Sequence, residues 1–147
     1  MPQSITIHPA QPADAEAVRR LIREYIDSLG IDISFQDVKV ELADPLSYYQ
    51  VVLLAEDGCV ALRRIDDRTC EMKRLYVRPG ARGGGLGRRL AEALIGEARA
   101  RGYSRMLLDT LPTMTTAQAL YRSLGFRAAE AYRYNPVPGA SFLELAL

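Results

Sequence analysis

The sequence predicts one α/β domain over residues 1–147, in which a mixed sheet of about six to seven strands is flanked by about four helices. Three observations predict this fold. The length of 147 residues suits one ordinary domain and is too short for two. Hydrophobic residues make up 48% of the chain and charged residues 25%, as in a globular protein. Segments with strand-like and helix-like hydrophobic spacing alternate along the chain, which is typical of helices layered on a sheet.

The N-terminal third predicts one strand and two helices. A strand candidate over Ile5 to Pro9 precedes a helix that begins near Pro12 and Asp14. Apolar residues recur in this helix every three or four positions, and Gly30 ends it. A weaker helix is expected from about Phe35 to Leu42.

Three strands are expected in the middle of the chain. Apolar and β-branched residues predict strands over 51–56, 59–65 and 70–77. Asp57-Gly58 lies between the first two strands and is a strong signal for a two-residue hairpin loop. Pro79-Gly80 ends the third of these strands.

The remainder of the chain alternates helices with strands. Segments Leu86 to Arg101 and Thr115 to Leu124 each carry an apolar stripe at helical spacing. Gly125 follows the second helix at the position of a C-terminal cap. Three further strands are expected over 106–110, 126–134 and 141–147.

The charge balance and the cysteines exclude several classes of function. Nineteen basic and eighteen acidic residues give a net charge of +1, without the basic surplus of a nucleic-acid-binding protein. Apolar runs are too short for a membrane helix and the N-terminus lacks a signal-peptide pattern, so we expect a cytoplasmic protein with no membrane partner. Cys59 and Cys70 are expected to be reduced core thiols. A single histidine and no Cys-x-x-Cys spacing predict no metal site.

A glycine-rich stretch between a predicted strand and a predicted helix points to a ligand. Its residues are Arg82-Gly83-Gly84-Gly85-Leu86-Gly87-Arg88. Consecutive glycines are costly to order, but they let the backbone approach a ligand closely. The first turn of a helix adds unpaired N–H donors and a positive dipole end, which together suit a diphosphate. The P-loop and dinucleotide fingerprints do not fit, and the alternative is a flexible turn without a ligand.

Three motifs in register resemble the GNAT acyltransferase superfamily. Arg82-x-x-Gly85-x-Gly87 resembles its glycine signature, and Glu71 to Pro79 is similar to its fourth strand. Ala117-x-x-Leu120-Tyr121-x-x-Leu124-Gly125-Phe126 resembles its second signature region. The resemblance covers nearly the whole chain and implies a largely antiparallel mixed sheet in a small single-domain protein. It also implies transfer of an acetyl group from acetyl-CoA to an amine.

The resemblance further implies which residues bind the cofactor. The pantetheine arm is expected along Leu75, Tyr76 and Val77, with the Val77 amide polarising the thioester carbonyl as an oxyanion donor does. Ala117 of the second signature region is expected beside the cofactor. The pyrophosphate is expected on the backbone amides and side chains of Arg82, Gly83, Gly84, Gly85, Leu86, Gly87 and Arg88.

Two residues are expected to be catalytic by the same resemblance. Tyr121 matches a tyrosine that protonates the coenzyme A thiolate, although its spacing alone would make it a core aromatic. Glu71 matches a position where some members carry a general base; the alternative is a strand carboxylate paired with Lys73, Arg74 or another cation. Met114 stands where many members have an asparagine that contacts the pantetheine, so this contact is left open.

The acceptor is expected to be a small-molecule amine that reacts directly in a ternary complex. Alternatives are a protein-lysine or N-terminal acetyltransferase, and a module that senses acyl-CoA without catalysis. A homodimer is plausible by analogy alone. Acidic Glu24, Asp27 and Asp32 could attract a cation or form an ordinary solvated helix face. The aromatic residues expected around the acceptor are Tyr25, Phe35, Tyr48, Tyr49, Tyr132 and Tyr134.

Overall fold

A computed structural model of the protein describes residues 6–33 and 37–147. These residues contain a seven-stranded open sheet with the order β1-β2-β3-β4-β5-β7-β6. Neighbouring strands are antiparallel except β4 and β5, which are parallel. The mixed, largely antiparallel sheet is therefore confirmed. The strands are β1 His8–Pro9, β2 Val51–Ala55, β3 Gly58–Arg64, β4 Thr69–Val77, β5 Arg105–Thr110, β6 Arg127–Ala128 and β7 Ser141–Ala146.

Five α-helices flank the sheet in the described part of the chain, against about four expected. The additional helix is the short α3, in which Pro45 occupies the first turn and the Asp44 side chain accepts a hydrogen bond from the Ser47 amide. Gly30 and Gly125 follow α1 and α5 with positive φ angles of 66° and 103°, as the sequence predicted. The helices are α1 Ala15–Ser28, α2 Val38–Ala43, α3 Pro45–Tyr48, α4 Leu86–Ala100 and α5 Thr115–Ser123.

Two apolar cores lie on opposite faces of the sheet. On one face, α4 and α5 pack against apolar side chains of β2 to β5 and β7. On the other face, α1 packs Val18 and Leu21 against Val52 and Leu54 of β2. Successive strand residues point to alternate faces, so the two layers require apolar residues at nearly every position of the central strands.

The predicted hairpin between β2 and β3 is present, but its loop is displaced by one residue. Ala55 pairs with Gly58, so the two loop residues are Glu56 and Asp57, not Asp57 and Gly58. Gly58 is the first residue of β3, where a Cβ atom would lie 2.7 Å from the Tyr76 carbonyl oxygen. Close approach of β4, and not turn geometry, is the reason for glycine at this position.

The predicted strand over 126–134 was wrong in extent. Regular pairing with β7 covers only Arg127 and Ala128. After the Ala129 amide donates to the Phe142 carbonyl, the chain leaves the sheet. Residues 129–140, which we name the strap, instead cross the sheet face that carries α1 and donate hydrogen bonds from Tyr132 and Asn135 to other strands.

Some expectations fall outside these observations. Ile5 and Phe35 lie outside the described residues, and the helix expected from about Phe35 is described from Val38 to Ala43. Across the ranges 6–33 and 37–147, the helices are all too short or too polar to cross a membrane. The cytoplasmic location and the homodimer remain predictions.

The strands β4 and β5 separate along their length. Their pairing is confined to Thr69–Glu71 of β4 and Arg105–Leu107 of β5. Beyond Lys73 the register of β4 with β3 shifts, and Arg74 has a left-handed φ of 60°. An extra residue of this kind bends a strand and increases its twist. The bend opens a cleft between β4 and β5 in the middle of the sheet.

Candidate active site

The cleft between β4 and β5 is lined from four parts of the chain. Residues 72–75 of β4 form one wall, and residues 109–111 at the end of β5 form the other. Ala117 and Tyr121 of α5 close the cleft on one face of the sheet, while Tyr25 of α1 closes it on the other. Asn135 of the strap also reaches the cleft. The cleft therefore passes through the sheet and joins its two faces.

The glycine-rich turn follows β4 and leads into α4. Gly83 and Gly85 have φ angles of 90° and 85°, which other residues adopt only with strain. A Cβ atom at Gly84 would have no neighbour within 4 Å, so this glycine leaves open space above the backbone. Among the described residues, no acceptor receives a hydrogen bond from the backbone amides of residues 83–88. These free donors at the N-terminus of a long helix fit a diphosphate.

The two arginines of the turn hold its neighbours together. Arg82 Nε donates to the Val77 carbonyl at 2.9 Å, which joins the end of β4 to the turn. Arg88 donates to Ser123 of α5 and to Glu92 at 3.1 Å. Both side chains are exposed enough to approach a ligand, and their contacts fix the turn against β4 and α5.

The predicted pantetheine residues differ in their position relative to the cleft. Leu75 and Ala117 line it. Tyr76 turns to the opposite core, where its hydroxyl contacts Glu24 at 3.3 Å. Val77 ends β4 beside the turn, and its side chain would lie 3.8 Å from a Cβ atom at Gly87. The oxyanion role of the Val77 amide remains a prediction.

Tyr121 lies in the cleft and belongs to the core at the same time. Its ring packs against Phe126 with a centroid distance of 5.7 Å, and the residue is only 8% exposed. Burial, together with the nearby Tyr25 and Asp109, raises the pKa of Tyr121 above the usual value. The phenol therefore stays protonated over the whole neutral range, as a proton donor must.

Glu71 is fully buried and is already held by several partners. Tyr132 donates a hydrogen bond to its carboxylate, and Arg133 and Arg63 approach it at 3.2 and 3.3 Å. Burial alone would raise the pKa of Glu71, but Lys73 and these partners outweigh burial and lower it. Glu71 does not line the cleft. These contacts favour the alternative of a paired strand carboxylate, and the general-base role remains a prediction.

Sequence reasoning did not identify a buried charged group next to Glu71. Arg74 donates from Nε and Nη2 to the two carboxylate oxygens of Glu41, each at 2.8 Å, and Tyr49 also donates to Glu41. Lys73 is 7% exposed and lines the cleft beside Arg74. The sequence did contain an indication of this group: the run Glu71-Met-Lys-Arg interrupts a strand that is otherwise apolar. Charged side chains in a buried strand need partners or a ligand, so this run could have predicted a charged cluster.

The wall formed by β5 contributes Asp109 and a loop ordered by side chains. Asp109 accepts a hydrogen bond from Asn135 of the strap at 3.1 Å. Gln118 Nε2 donates to the Leu111 carbonyl at 2.7 Å, and Met114 lines the cleft. The loop before α5 is thus held by Gln118. Asp109 was also missed, although an acidic residue near the end of a buried strand is a usable signal.

The residues expected around the acceptor are dispersed. Tyr25 lines the cleft, and Tyr132 reaches Glu71 beneath the strap. Tyr134 is 73% exposed. Glu24 binds Arg78 through both carboxylate oxygens at 3.0 Å, so it fixes α1 to the end of β4. Phe35 lies outside the described residues.

Comparison with known proteins agrees with this geometry. The profile of the "Acetyltransferase (GNAT) family" matches residues 16–126. An uncharacterized N-acetyltransferase of Schizosaccharomyces pombe is 39% identical over 158 aligned residues, covering 99% of this chain and 97% of that protein. N-acetylaspartate synthetase of Danio rerio is 31% identical over 125 residues, covering 82% of this chain and 44% of the relative.

One similar solved structure contains acetyl-CoA. A candidate acetyltransferase from Salmonella typhimurium, solved with its cofactor acetyl-CoA, superimposes with a TM-score of 0.69 at 25% identity. The match covers 98% of this chain and 94% of that one. The glycine-rich turn with free amides, the divided strands and the buried tyrosine are thus found in a chain that matches the family over most of its length. The protein belongs to the GNAT family of acetyltransferases and is an acetyl-CoA-dependent N-acetyltransferase.

Proposed function

We propose that the enzyme acetylates the primary amine of a small molecule by direct transfer within a ternary complex. The observation that carries this proposal is the cleft, since β4 leads from a buried charged cluster to the glycine-rich turn. Donor and acceptor would then approach the same gap in the sheet from its two faces. Holding both reactants in one cleft converts a bimolecular step into an effectively unimolecular one.

The state of the cysteines supports direct transfer. Cys59 and Cys70 are both buried in the core as free thiols. Burial raises the pKa of each thiol to about 12, so neither is a thiolate at neutral pH. A covalent acyl-cysteine intermediate would require a reactive thiolate in the cleft. Direct attack of the amine on the thioester needs no such group.

The enclosure of the cleft supports a small acceptor. The strap crosses the sheet face opposite α4 and α5 and is fixed by Tyr132 and Asn135. Tyr25 of α1 narrows the same side. The relative from Danio rerio, named for the synthesis of N-acetylaspartate, also supports a small acceptor. In this proposal the amides of residues 83–88 bind the pyrophosphate and Tyr121 protonates the departing thiolate.

The first test is calorimetric titration with acetyl-CoA, with ATP and NAD as controls, followed by a thiol-release assay with panels of small amines and peptides. Thiol release with small amines alone is the expected result. Preferred acetylation of lysine side chains or peptide N-termini would overturn the small-molecule proposal. Binding of acetyl-CoA without thiol release for any acceptor would favour a sensing module.

Tyr121→Phe tests the proposed acid. We expect unchanged affinity for acetyl-CoA and a value of kcat lowered by about 10²- to 10⁴-fold, since general acid catalysis contributes on that order. Tyr103→Phe is the matched control, because it also removes a hydroxyl from a buried tyrosine but lies outside the cleft, and it should retain kcat. If Tyr121→Phe turned over at the wild-type rate, the acid role would be lost and packing would be its remaining function.

A further inference from the structure

We propose that the acceptor amine also carries a carboxylate, as an amino acid does, and that Lys73 binds this carboxylate while Asp109 receives the amine. The inference rests on the proposed function, because it takes the cleft to be the acceptor site. Neither residue was expected to contact the acceptor from the sequence.

The two walls of the cleft carry opposite charges. Lys73 belongs to the β4 wall and Asp109 to the β5 wall, and both line the gap between the separated strands. Lys73 pairs across the sheet with Ala61, which places its side chain on the face covered by α1 and the strap. The amine and the carboxylate of an α-amino acid are attached to the same carbon, so two bonds separate the nitrogen from the carboxylate carbon. A cation and an anion on facing walls can therefore bind both groups of one such molecule.

Two carboxylates near Lys73, those of Glu71 and Glu41, are paired with arginines. Glu71 is approached by Arg63 and Arg133, and Glu41 is bound by Arg74 through both oxygens. The described charged groups around Lys73, together with their ion-pair partners, are the cations Arg63, Arg74 and Arg133 and the carboxylates Glu41, Glu71 and Asp109. With Lys73 itself, four cations face three carboxylates, so this cluster carries one excess positive charge.

Burial makes the positive charge of Lys73 costly to hold without a bound anion. Burial and the two arginines lower the pKa of Lys73 to about 8, although Glu71 and Asp109 act in the opposite direction. The cation is thus held in a place that disfavours it, and an arriving carboxylate would relieve that cost. Charge-assisted hydrogen bonds are stronger in such dry sites than at the surface.

The positive charge of Lys73 and the neighbouring arginines also disfavours amines that carry a second positive charge. A diamine or a lysine side chain in a basic peptide would bring a second ammonium towards Lys73, Arg74 and Arg133. Juxtaposed like charges disfavour such ligands, so specificity arises from repulsion as well as attraction. Attack on the thioester requires the neutral amine, and in this proposal Asp109, which receives the ammonium, accepts its proton before the nitrogen attacks.

The test uses pairs of acceptors in which only one member carries a carboxylate: phenylalanine with phenethylamine, leucine with 3-methylbutylamine, and alanine with ethylamine. Binding is measured by calorimetry in the presence of coenzyme A, and transfer by thiol release from acetyl-CoA. We expect at least one carboxylated member to bind roughly 10- to 100-fold more tightly than its partner, as a charged hydrogen bond supplies. Equal binding within every pair, or preference for the decarboxylated member, would overturn the proposal.

Variants of Lys73 and Asp109 test which residue causes the preference for a carboxylate. Lys73→Met should abolish the preference for the carboxylate, Lys73→Arg should restore part of it, and Asp109→Asn should reduce kcat more than carboxylate binding. Lys39→Met is the matched control, because Lys39 is exposed on α2. Circular dichroism checks folding of each variant, and the wild-type comparison of pairs is independent of them. Retained preference in folded Lys73→Met would overturn the role of Lys73.

The two proposals fail in different ways. Selective binding of amino acids without thiol release would contradict the proposed function and leave the carboxylate site standing. Thiol release with simple amines, at rates insensitive to a carboxylate, would contradict the carboxylate site and support the proposed function.

Discussion

Arg74 combines a left-handed backbone with a fully satisfied charge. A φ of 60° costs an arginine about 1–3 kcal/mol, and such strain persists only where the surroundings fix it. Here the surroundings are the bidentate pair with Glu41 and the face of the Tyr25 ring, which lies 5.6 Å from the guanidinium carbon. Since Arg74 lies at the bend of β4, the ion pair fixes the point at which the sheet divides.

Removal of the Glu41 charge should therefore destabilise the fold. We expect Glu41→Gln to lower the free energy of unfolding by about 3–5 kcal/mol, since it leaves Arg74 buried with an uncompensated charge. Urea denaturation measures the change. Glu16→Gln, which removes the exposed pair with Arg19, is the control and should cost no more than about 1 kcal/mol. Equal small losses for both variants would show that the buried pair has no special role.

The lowered pKa of Lys73 predicts how carboxylate binding depends on pH. Lys73 is a cation below its pKa of about 8 and neutral above it, so affinity for a carboxylate should fall as pH rises. Tyr121 and Tyr132 have raised pKa values and stay neutral across this range. N-acetylated amino acids are the appropriate ligands because they have no amine to titrate. We expect about tenfold weaker binding at pH 9 than at pH 7.

Two comparisons make this pH test specific. An N-acetylated amine without a carboxylate should bind with the same affinity at both pH values. Lys73→Met should remove the dependence for the carboxylated ligand. If the wild-type affinity for N-acetylated amino acids rose with pH, a group other than Lys73 would be responsible.

Residue types alone revealed part of the site. Tyr121 and the glycines belong to short local motifs, so a single segment of sequence sufficed for their prediction. The partners of Glu71 could not be predicted in this way, since Tyr132 and Arg133 lie some 60 positions further along the chain and approach it only through the strap. Whether a carboxylate is free or paired depends on such distant contacts.

At the level of elements, the glycine-rich turn separates two uses of glycine. Gly83 and Gly85 are required by their positive φ angles. Gly84 has an ordinary φ and open space around its α-carbon, so conformation does not explain it. A ligand that fills this space does explain it, because any side chain would then compete for the same volume.

Gly84→Asp tests this explanation without straining the turn. We expect at least tenfold weaker binding of acetyl-CoA with an unchanged melting temperature, because a carboxylate would face the phosphates. Gly96→Ala is the control, since Gly96 lies inside α4 with open space around it. This control should retain affinity and gain about 0.5–1 kcal/mol of stability from helix propensity. Wild-type affinity in Gly84→Asp would contradict phosphate binding at the turn.

The elements that were predicted well are those specified by local patterns. The helices α4 and α5 follow an apolar stripe closed by a glycine or a basic residue, and both were predicted within one residue at their N-termini. The end of β6 was not predicted, because the chain leaves the sheet there and the strap contacts Glu71 instead. The hairpin loop was misplaced because Gly58 serves the packing of β4 and not the turn. Tertiary contacts overrode local signals in both cases.

On the scale of the molecule, the sheet separates the residues expected to bind the donor from those expected to bind the acceptor. The face covered by α4 and α5 carries the glycine-rich turn and Tyr121, while the face covered by α1 and the strap carries the charged cluster. The cleft between β4 and β5 connects these two faces. A central sheet buried on both sides provides a rigid frame for this arrangement, since its strands pack at nearly every position.

Acetyl-CoA should stabilise the whole domain by binding only to the folded state. At a concentration 100 times Kd, we expect the free energy of unfolding to rise by about 2.7 kcal/mol. Thermal denaturation with increasing acetyl-CoA measures this rise, and Gly84→Asp at the same ligand concentration should show a smaller one. An equal rise with ATP would mean that the turn accepts any polyphosphate and would contradict selectivity for coenzyme A.

The strap has a consequence for engineering. Because Tyr132 and Arg133 attach the strap to Glu71 and Asn135 attaches it to Asp109, the exposed positions after Asn135 are available for replacement. The groups that bind the donor lie in a separate stretch, from β4 into α4. A library that varies these later positions and keeps the three attachment residues would change the choice of amine while the donor half of the enzyme stays intact, so one scaffold could supply catalysts for many acceptors.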